Sequence, residues 1–200
     1  MRAKFLIFCL ILTHPSLKGQ LTQIELGRTR TEYIYTNDRG ERLSNLVPQD
    51  GIKAAINFKT KSDNILIGLL YHELNAKSGT MAQIYEWETA YAGLSLYFKI
   101  PIYQRFHSRL GIGFTHLIKG EQFIDGQNQN LNANAEFNGF WLSPSISLGY
   151  KIKQISAGDF NLKYSLYPSA KIGSQGSEKL SFLSHHIGLE FEFKPQKKEQ

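Results

Sequence analysis

The chain has 200 residues, a formal net charge of +6 and a single cysteine. This length suits one domain, and a lone cysteine excludes both an intramolecular disulfide and a thiolate metal site. The positive charge alone would allow nucleic-acid binding. Because the N-terminal segment predicts secretion, no nucleic-acid partner is expected.

The first nineteen residues are expected to form a secretory signal peptide. Arg2 and Lys4 precede an apolar run over residues 5–12, and Pro15 follows that run. A charged start before a short apolar stretch is typical of a signal peptide. The run is too short to cross a bilayer, which takes about 20 residues. Cys9 lies inside it, so the mature chain would have no cysteine.

Eight segments behind this signal alternate apolar side chains with small or charged ones. Such alternation arises only in an extended strand, which turns successive side chains to opposite faces. The segments run to ten or more residues, longer than the five or six residues of most strands. In chain order they cover residues 21–36, 51–61, 64–75, 86–101, 104–120, 136–153, 159–172 and 181–193.

Three of these strands have irregular features. In the first, Arg28, Arg30 and Glu32 interrupt the apolar face, which predicts a bulge or a strand end beyond the bilayer. The sixth and seventh strands contain Pro144 and Pro168. Because proline cannot donate to a β-ladder, a bulge is expected near each.

The connections between the predicted strands alternate in length. Short ones follow the second, fourth and sixth strands, at Ser62-Asp63, Ile102-Tyr103 and residues 154–158. Longer polar ones cover residues 37–50, 76–85, 121–135 and 173–180, of which 121–135 is expected to be mobile. Outer-membrane barrels have short periplasmic turns and long outer loops. An even number of strands then places both termini in the periplasm.

Aromatic residues of outward parity collect at the predicted periplasmic rim, where the girdle of a membrane barrel would lie. They are Phe58, Phe98, Phe106, Tyr150, Phe160, Phe191 and Phe193. Candidates for a girdle at the opposite rim are Tyr33, Tyr35, Tyr71, Tyr85, Trp87 and Phe140.

The signal, the eight strands, the alternating loop lengths and a last strand ending in Phe191 and Phe193 resemble the small outer-membrane barrels of the OmpA/OmpX type. The style is also similar to the outer membrane protein beta-barrel domain group common in Bacteroidetes. The resemblance rests on architecture over about residues 20–195 and carries no functional residues. One departure is that seven mostly charged residues follow Phe193, whereas such barrels usually end on the final aromatic residue.

The resemblance implies an all-β fold, an eight-stranded antiparallel up-and-down transmembrane β-barrel after a cleaved signal peptide. The expected division is a signal peptide over 1–19, an outer-membrane β-barrel over 20–195 and a charged periplasmic tail over 196–200. The expected location is the outer membrane of a Gram-negative bacterium. Outer-membrane lipids, lipopolysaccharide and the barrel-insertion machinery would be its partners.

Large charged residues collect near the periplasmic end of the predicted interior, where parity turns five basic and three acidic side chains inward. They are Lys59, Lys99, Arg109, Lys151, Lys163, Glu25, Glu190 and Glu192. Because the first and last strands of a closed barrel are neighbours and buried charge is costly unless paired, ion pairs across that seam are expected. This cluster is interpreted as polar filling of the lumen, and the alternative is a basic pocket for an anionic ligand or partner.

No catalytic or metal-binding constellation stands out. Ser184 and His186 share the lumen parity, but nothing else marks them as nucleophile and base, and the Gly-x-Ser-x-Gly motif is missing. The histidines lack the converging spacing of a zinc site. We therefore expect no catalytic residues, no metal, no cofactor and no enzymatic activity.

The resulting prediction is a non-enzymatic integral outer-membrane barrel with a structural or binding role and a lumen filled by polar and charged side chains. A protein partner on the extracellular or periplasmic side would fit a binding role. One alternative is a lipid-modifying outer-membrane enzyme, an acyl hydrolase or transferase. Another is a soluble periplasmic lipocalin-like binding barrel, which requires an apolar interior and a polar exterior.

Overall fold

The computed structural model describes residues 21–42, 46–60, 62, 64–79, 84–173 and 179–194. The predicted signal peptide and charged tail lie outside these residues, as does Asp63 of the first predicted turn. The described residues form nine strands, which are β1 (Leu21–Thr36), β2 (Leu46–Lys59), β3 (Ile65–Gly79), β4 (Ile84–Tyr103), β5 (Phe106–Ile124), β6 (Gln127–Asn130), β7 (Phe140–Gln154), β8 (Gly158–Lys171) and β9 (Lys179–Phe193). No helix in this part of the chain is long and apolar enough to cross a membrane.

Eight of the strands close into a barrel in which neighbours in sequence are neighbours in space. The order is β4-β3-β2-β1-β9-β8-β7-β5, all pairs are antiparallel, and an additional β4–β5 pairing closes the ring. The short strand β6 pairs with the last four residues of β5. The predicted eight-stranded antiparallel up-and-down β-barrel is confirmed.

The two ends of the barrel differ. At one end, called the turn end here, β2–β3, β4–β5 and β7–β8 are joined by short connections, and the described chain begins and finishes. The other end, the loop end, has the longer connections. The turn between β4 and β5 is Gln104-Arg105, two residues later than the predicted Ile102-Tyr103, because β4 continues to Tyr103, which pairs with Phe106.

The connection predicted to be a mobile loop over residues 121–135 is partly ordered. β5 continues to Ile124 and turns back through Asp125 and Gly126 into β6. Both turn residues have positive φ, 49° and 82°, as a two-residue hairpin of type I′ requires. The Asp125 carboxylate also accepts a hydrogen bond from the Ile84 backbone amide at 2.9 Å, which joins this hairpin to the start of β4.

The two faces of the barrel wall have opposite character. Side chains at alternate positions are buried inside, and those between them form an apolar exterior. Leu26 is 60% exposed, Ile187 56% and Ile146 53%. An exposed apolar surface of this extent indicates contact with lipid or protein rather than water. A lipocalin-like barrel has the reverse arrangement, so the structure argues against that alternative.

The predicted aromatic girdle lies on the exterior near the turn end. The rings of Phe106 and Tyr150 are 4.9 Å apart between centroids, and Phe191 lies 4.7 Å from both Phe160 and Phe193. The Phe106–Tyr150 contact joins β5 to β7 and the Phe160–Phe191 contact joins β8 to β9, whereas Phe191 and Phe193 are both on β9. A band of this kind fits the interface between hydrocarbon and water.

The bulges predicted near Pro144 and Pro168 are wrong. β7 and β8 pair in the same register on both sides of the prolines, for example at Leu142–Ala170 and Ile146–Leu166. In this register Pro144 lies opposite Pro168. Pairing between the two strands lapses around that position and then resumes. Two residues that cannot donate to the ladder therefore share one interruption, and neither forces a register shift.

The bulge considered for β1 is also wrong at the predicted place. Pairing with β2 keeps one register from Gln23 to Thr31, and the irregularity lies between Leu21 and Gln23. Pairing with β9 is regular through the same stretch. Arg28 and Arg30 therefore keep the parity of the apolar exterior, where both are exposed.

Candidate functional site: the barrel interior

The turn-end half of the interior has a buried carboxylate on each strand of the β1–β9 seam. Glu25 on β1 and Glu190 on β9 are both fully buried and occupy paired positions. Strand parity turns both side chains inward. A pair of buried carboxylates requires nearby cations, since removing charge from water costs several kcal/mol per ion unless it is paired.

Glu25 binds two lysines from β2 and β8, the strands on either side of the β1–β9 seam. Its Oε1 lies 2.8 Å from the Lys53 Nζ on β2, and its Oε2 lies 2.6 Å from the Lys163 Nζ on β8. The His186 Nδ1 is 3.4 Å from the same carboxylate. Lys53 also lies 5.2 Å from the centroid of the Tyr167 ring, and such a ring face attracts a cation.

Glu190 binds an arginine from across the lumen. Arg109 on β5 donates to both carboxylate oxygens, with 2.5 Å between Nη2 and Oε1. The Asn161 side-chain amide donates to Oε1 at 3.3 Å, and the Lys163 Nζ lies 3.9 Å from Oε2. The pair is bidentate, the geometry that best matches a guanidinium to a carboxylate. It connects β5 to β9 through the middle of the barrel.

The remaining predicted charges lie closer to the turn-end opening. The Lys99 Nζ is 2.7 Å from both oxygens of Glu192, and both side chains are partly exposed. Lys151 pairs with Asp159 at 2.5 Å. Lys59 is half-buried at the end of β2. The ion pairs described above therefore include Lys99, Arg109, Lys151, Lys163, Glu25, Glu190 and Glu192 of the predicted cluster.

The sequence interpretation omitted two members of this network. Lys53 has the lumen parity on β2, so the alternation itself could have identified it. It lies six residues before Lys59 and therefore farther from the turn end than the predicted lysine of that strand. Asp159 is the second residue of β8. So close to a turn, the alternation is too short to show that a single acidic side chain faces the interior. With Lys53 included, the fully buried charges are Glu25 and Glu190 against Lys53, Arg109 and Lys163.

The loop-end half of the interior contains a large apolar cluster, which corrects the expectation of a lumen filled throughout by polar and charged groups. This cluster, the aromatic plug, is made of Tyr33, Leu74, Ala76, Tyr91, Leu117, Leu131, Phe137, Trp141 and Phe182. Buried hydroxyl groups such as that of Thr89 lie beside it. Large apolar side chains can fill a lumen of this width as well as polar ones.

Close ring contacts hold the aromatic plug together. The Trp141 and Phe182 rings stack with centroids 4.4 Å apart, and Tyr33 lies 4.7 Å from Phe182. The Tyr33 hydroxyl donates to the Leu74 carbonyl at 2.7 Å, and the Trp141 indole donates to the Phe137 carbonyl at 3.0 Å. Tyr33 was a candidate for the exterior girdle, and that placement is wrong, because it is 3% exposed and faces inward.

Part of the aromatic plug comes from a loop. Leu131 and Phe137 lie between β6 and β7, and are only 4% and 5% exposed. The Leu131 amide donates to the Gly120 carbonyl at 2.9 Å, which fixes the loop to β5. Leu131 lies in the polar, asparagine-rich connection predicted over residues 121–135, where nothing indicated a buried side chain. Phe137 lies in the segment predicted as the start of the sixth strand, 136–153, whereas β7 begins only at Phe140.

His72 lies between the two halves. It is 1% exposed, its ring centroid is 5.8 Å from those of Tyr91 and Tyr167, and neither ring nitrogen has a hydrogen-bond partner among the described residues. Over those residues, no three His, Cys, Asp or Glu side chains converge as a metal site would require.

The serine and histidine considered as a catalytic pair are both interior residues with 0% exposure. The Ser184 Oγ lies 3.0 Å from the Thr31 Oγ1, and His186 faces Glu25. A nucleophile must meet its substrate, and this hydroxyl is enclosed by the barrel wall.

No family model matches the chain, and no curated protein matches it by sequence. Solved structures match it over most of its length. Neisserial surface protein A is 10% identical with a TM-score of 0.55, covering 85% of this chain and 97% of that one. Ail, the attachment invasion locus protein of Yersinia pestis, in complex with the heparin analogue sucrose octasulfate, is 10% identical with a TM-score of 0.51, covering 86% and 99%.

The chain has the fold of the small outer-membrane β-barrels. The outer membrane protease OmpT from Escherichia coli also matches, at 7% identity and a TM-score of 0.42, covering 90% of this chain and 99% of that one. At such identities the likeness concerns the fold alone, and a shared fold does not carry a function. The function must therefore be argued from this chain's own interior and surfaces.

Proposed function

We propose that the chain is an integral outer-membrane protein that forms a closed, non-conducting barrel with a structural or binding role and no enzymatic activity. This proposal rests mainly on the filled interior, in which one half contains ion pairs and the other half contains packed aromatic and aliphatic side chains. The ion pairs of Glu25 and Glu190 fill the turn-end half, and the aromatic plug fills the loop-end half.

The exterior supports the membrane location. Every barrel strand has exposed apolar side chains on its outer face, and a closed barrel leaves no unpaired strand edge in hydrocarbon. We place the turn end in the periplasm and the loop end outside, as short periplasmic turns and longer outer loops are the usual arrangement in such barrels.

A structural role for the charged network is favoured over an anion-binding pocket. A pocket needs cations that are free to meet a ligand, whereas Lys99, Arg109, Lys151 and Lys163 all face carboxylates of this chain. The proposed role is to hold β5, β8, β9, β1 and β2 together through the lumen.

The absence of enzymatic activity is proposed because the only serine–histidine pair considered from the sequence is enclosed. A lipid acyl chain arriving from the bilayer would have to pass through the barrel wall to reach Ser184. A binding role would then belong to the loop end, where β4, β5 and β6 extend as a three-stranded ribbon whose outermost strand is fully exposed.

The test is conductance of the purified protein in a planar lipid bilayer. We expect the wild type to give no discrete current steps. Trp141→Ala with Phe182→Ala weakens the aromatic plug, and Arg109→Ser with Glu190→Ser removes an ion pair of the charged half. Either double variant alone should leave the lumen blocked. The four substitutions together should open the lumen to ions. Heat-modifiable migration on a gel checks that each variant is folded. Regular conductance steps from the wild type would refute the proposal.

A further inference from the structure

Four charged side chains interrupt the apolar exterior of the barrel on three neighbouring strands. Arg28 and Arg30 are on β1, and both are exposed. Asp50 on β2 is exposed, and Glu73 on β3 is half-buried. This group, called the charge patch here, has its two basic residues on one side and its two acidic residues on the other, so that its charges of opposite sign are equal in number.

The charge patch lies at a depth that hydrocarbon covers on the opposite wall. On β7, exposed apolar side chains run from Phe140 to Ile152, a height of about 30 Å for a strand that rises roughly 3.3 Å per residue and is tilted by roughly 40°. On β1, Ile24 pairs with Phe191 of the aromatic girdle, and Arg28 follows about 10 Å above it by the same count. Because charged groups that face lipid at such depths are costly, we expect the charge patch to be covered.

Two charges of the patch, one of each sign, have no counter-charge within ion-pair distance among the described residues. The Arg28 side chain is in no hydrogen bond or ion pair there. Glu73 accepts hydrogen bonds from neutral groups, the Tyr71 hydroxyl at 2.8 Å and the Ile52 backbone amide at 3.1 Å. A group that covers the patch must therefore offer a negative charge near β1 and a positive charge near β3.

The basic and the acidic sides of the patch lie at the same height. Thr29, the residue before Arg30, donates from its hydroxyl to the Glu73 backbone carbonyl at 3.0 Å. Arg30 pairs in register with Asp50, with 3.6 Å between Nη1 and Oδ1. Arg30 and Glu73 are therefore level with each other, on the two strands that flank β2.

We propose that two copies of the barrel associate side by side in the membrane through the charge patch. Their two-fold axis would run parallel to the barrel and pass in front of β2. An axis in this position brings β1 of each copy against β3 of the other at the same height, in an isologous interface. Arg28 and Arg30 of one copy then face Glu73 of the other, and the same contact forms a second time across the axis.

A second copy is favoured over other partners because the patch is its own complement. A two-fold rotation about β2 matches the basic side with the acidic side, whereas a partner with charge of one sign would be repelled by half of the patch. Exposed aliphatic side chains lie beside the patch and toward the turn end on the same three strands, and they would give the interface an apolar part. They are Leu26, Ile52, Ile56 and Ile67.

The test is a cysteine placed near the proposed axis, in a Cys9→Ser background. It uses isolated outer membranes, in which all copies of the chain have one orientation. Ile52→Cys on β2 should lie close to the same residue of the second copy, so that oxidation with copper phenanthroline gives a disulfide-linked dimer. Ile146→Cys is the matched control, since it is similarly exposed, at 53% against 48%, but is on β7 in the opposite wall. It should remain monomeric on a non-reducing gel.

Charge reversal in the Ile52→Cys background tests the contact itself. R30E alone and E73R alone should each lose most of the cross-linked dimer, because like charges would then meet twice across the axis. R30E/E73R should recover it, since unlike charges face each other again. Heat-modifiable migration checks that each variant is folded.

Three results would overturn the proposal. One is equal cross-linking of Ile52→Cys and Ile146→Cys, which would mean that lipid covers the patch and that copies meet only by collision. The others are a dimer fraction that the single reversals leave unchanged, and one that R30E/E73R fails to recover. The inference goes beyond the closed barrel and uses its membrane location. Because none of these readouts involves conductance, failure here leaves the closed-barrel proposal to be decided by its own test.

Discussion

At the scale of single residues, the barrel interior depends on charges that cannot be removed one at a time. Arg109 and Glu190 are both fully buried, so each is tolerated only because the other is present. A buried pair of this kind adds little net stability over a well-packed apolar pair, but breaking it leaves an uncompensated charge. We expect its main effect to be that it fixes β5 opposite β9 across the lumen.

Glu190→Gln should therefore be strongly destabilising, by about 3–5 kcal/mol, because it leaves Arg109 without a counter-charge. Glu192→Gln is the matched control, since Glu192 and its partner Lys99 are 30% and 23% exposed, and it should cost less than about 1 kcal/mol. Urea unfolding in lipid vesicles, followed by tryptophan fluorescence, measures both. Similar losses for the two variants would contradict the structural role given to the buried pair.

Residue-level features of the interior were only partly predictable from the sequence. Parity located Glu25, Glu190 and Arg109 because each lies inside a regular alternation. Tyr33 has the same parity as Glu25, but Arg28, Arg30 and Glu32 suggested a bulge between them, so its lumen position was lost. Leu131 lies in a connection, where no periodicity exists to show which way a side chain points. Phe137 falls in the predicted sixth strand with the parity of the lumen-facing Ser143, and it does face the interior, although β7 begins only at Phe140.

At the scale of secondary-structure elements, the β1–β9 seam is closed by two glycines. Gly27 and Gly188 are paired across the seam, and a Cβ on Gly188 would lie 2.6 Å from the Leu26 carbonyl oxygen and 2.8 Å from the Gly27 Cα. These are backbone atoms, which cannot rotate away as a side chain can. The missing Cβ atoms also leave room for the His186 ring, whose Nε2 would lie 2.6 Å from a Cβ on Gly27 and 2.8 Å from one on Gly188.

Gly188→Ala should separate the two strands locally and destabilise the barrel by about 1–3 kcal/mol. Gly113→Ala, also on a lumen-facing position, should be tolerated, because its Cβ would meet nothing nearer than 3.4 Å. The midpoint of urea unfolding in vesicles distinguishes the two. If Gly113→Ala proved the more damaging, the packing described at the seam would be wrong.

The strands themselves were well predicted because each is long and alternates with a period of two. Their connections were less so. The hairpin at Asp125-Gly126 was read as part of a loop, although this dipeptide is a strong signal for a type I′ turn. The effect of Pro144 and Pro168 depends on which residue faces which, and a strand pattern does not contain the register between strands.

At the scale of the whole molecule, the two ends of the barrel are built differently. The turn end has the aromatic girdle and the termini of the described chain, and the loop end has the β4–β5–β6 ribbon. Architecture of this kind was predictable from strand number and loop length together. The division of the interior into a charged half and an apolar half was not, because it emerges only when strands and a loop meet in three dimensions.

The proposed orientation can be tested with single cysteines, since the one native cysteine, Cys9, lies in the predicted signal. Asn128→Cys is on the exposed strand β6 and Ser156→Cys is in the exposed β7–β8 turn. On intact cells, a membrane-impermeant maleimide should label Asn128→Cys only. Ser156→Cys should react after the outer membrane is permeabilised. The opposite pattern would reverse the orientation.

The loop between β6 and β7 limits how the sequence of the loop end can vary during evolution. Surface loops ordinarily vary freely because little depends on their sequence. Here Leu131 and Phe137 belong to the interior, so this loop is constrained in length and composition by the barrel it closes. The side chains of β6, the strand before this loop, are all exposed. An organism under pressure to alter its exposed surface could therefore vary the side chains of β6, while the segment from Leu131 to Phe137 stayed fixed by the demands of folding.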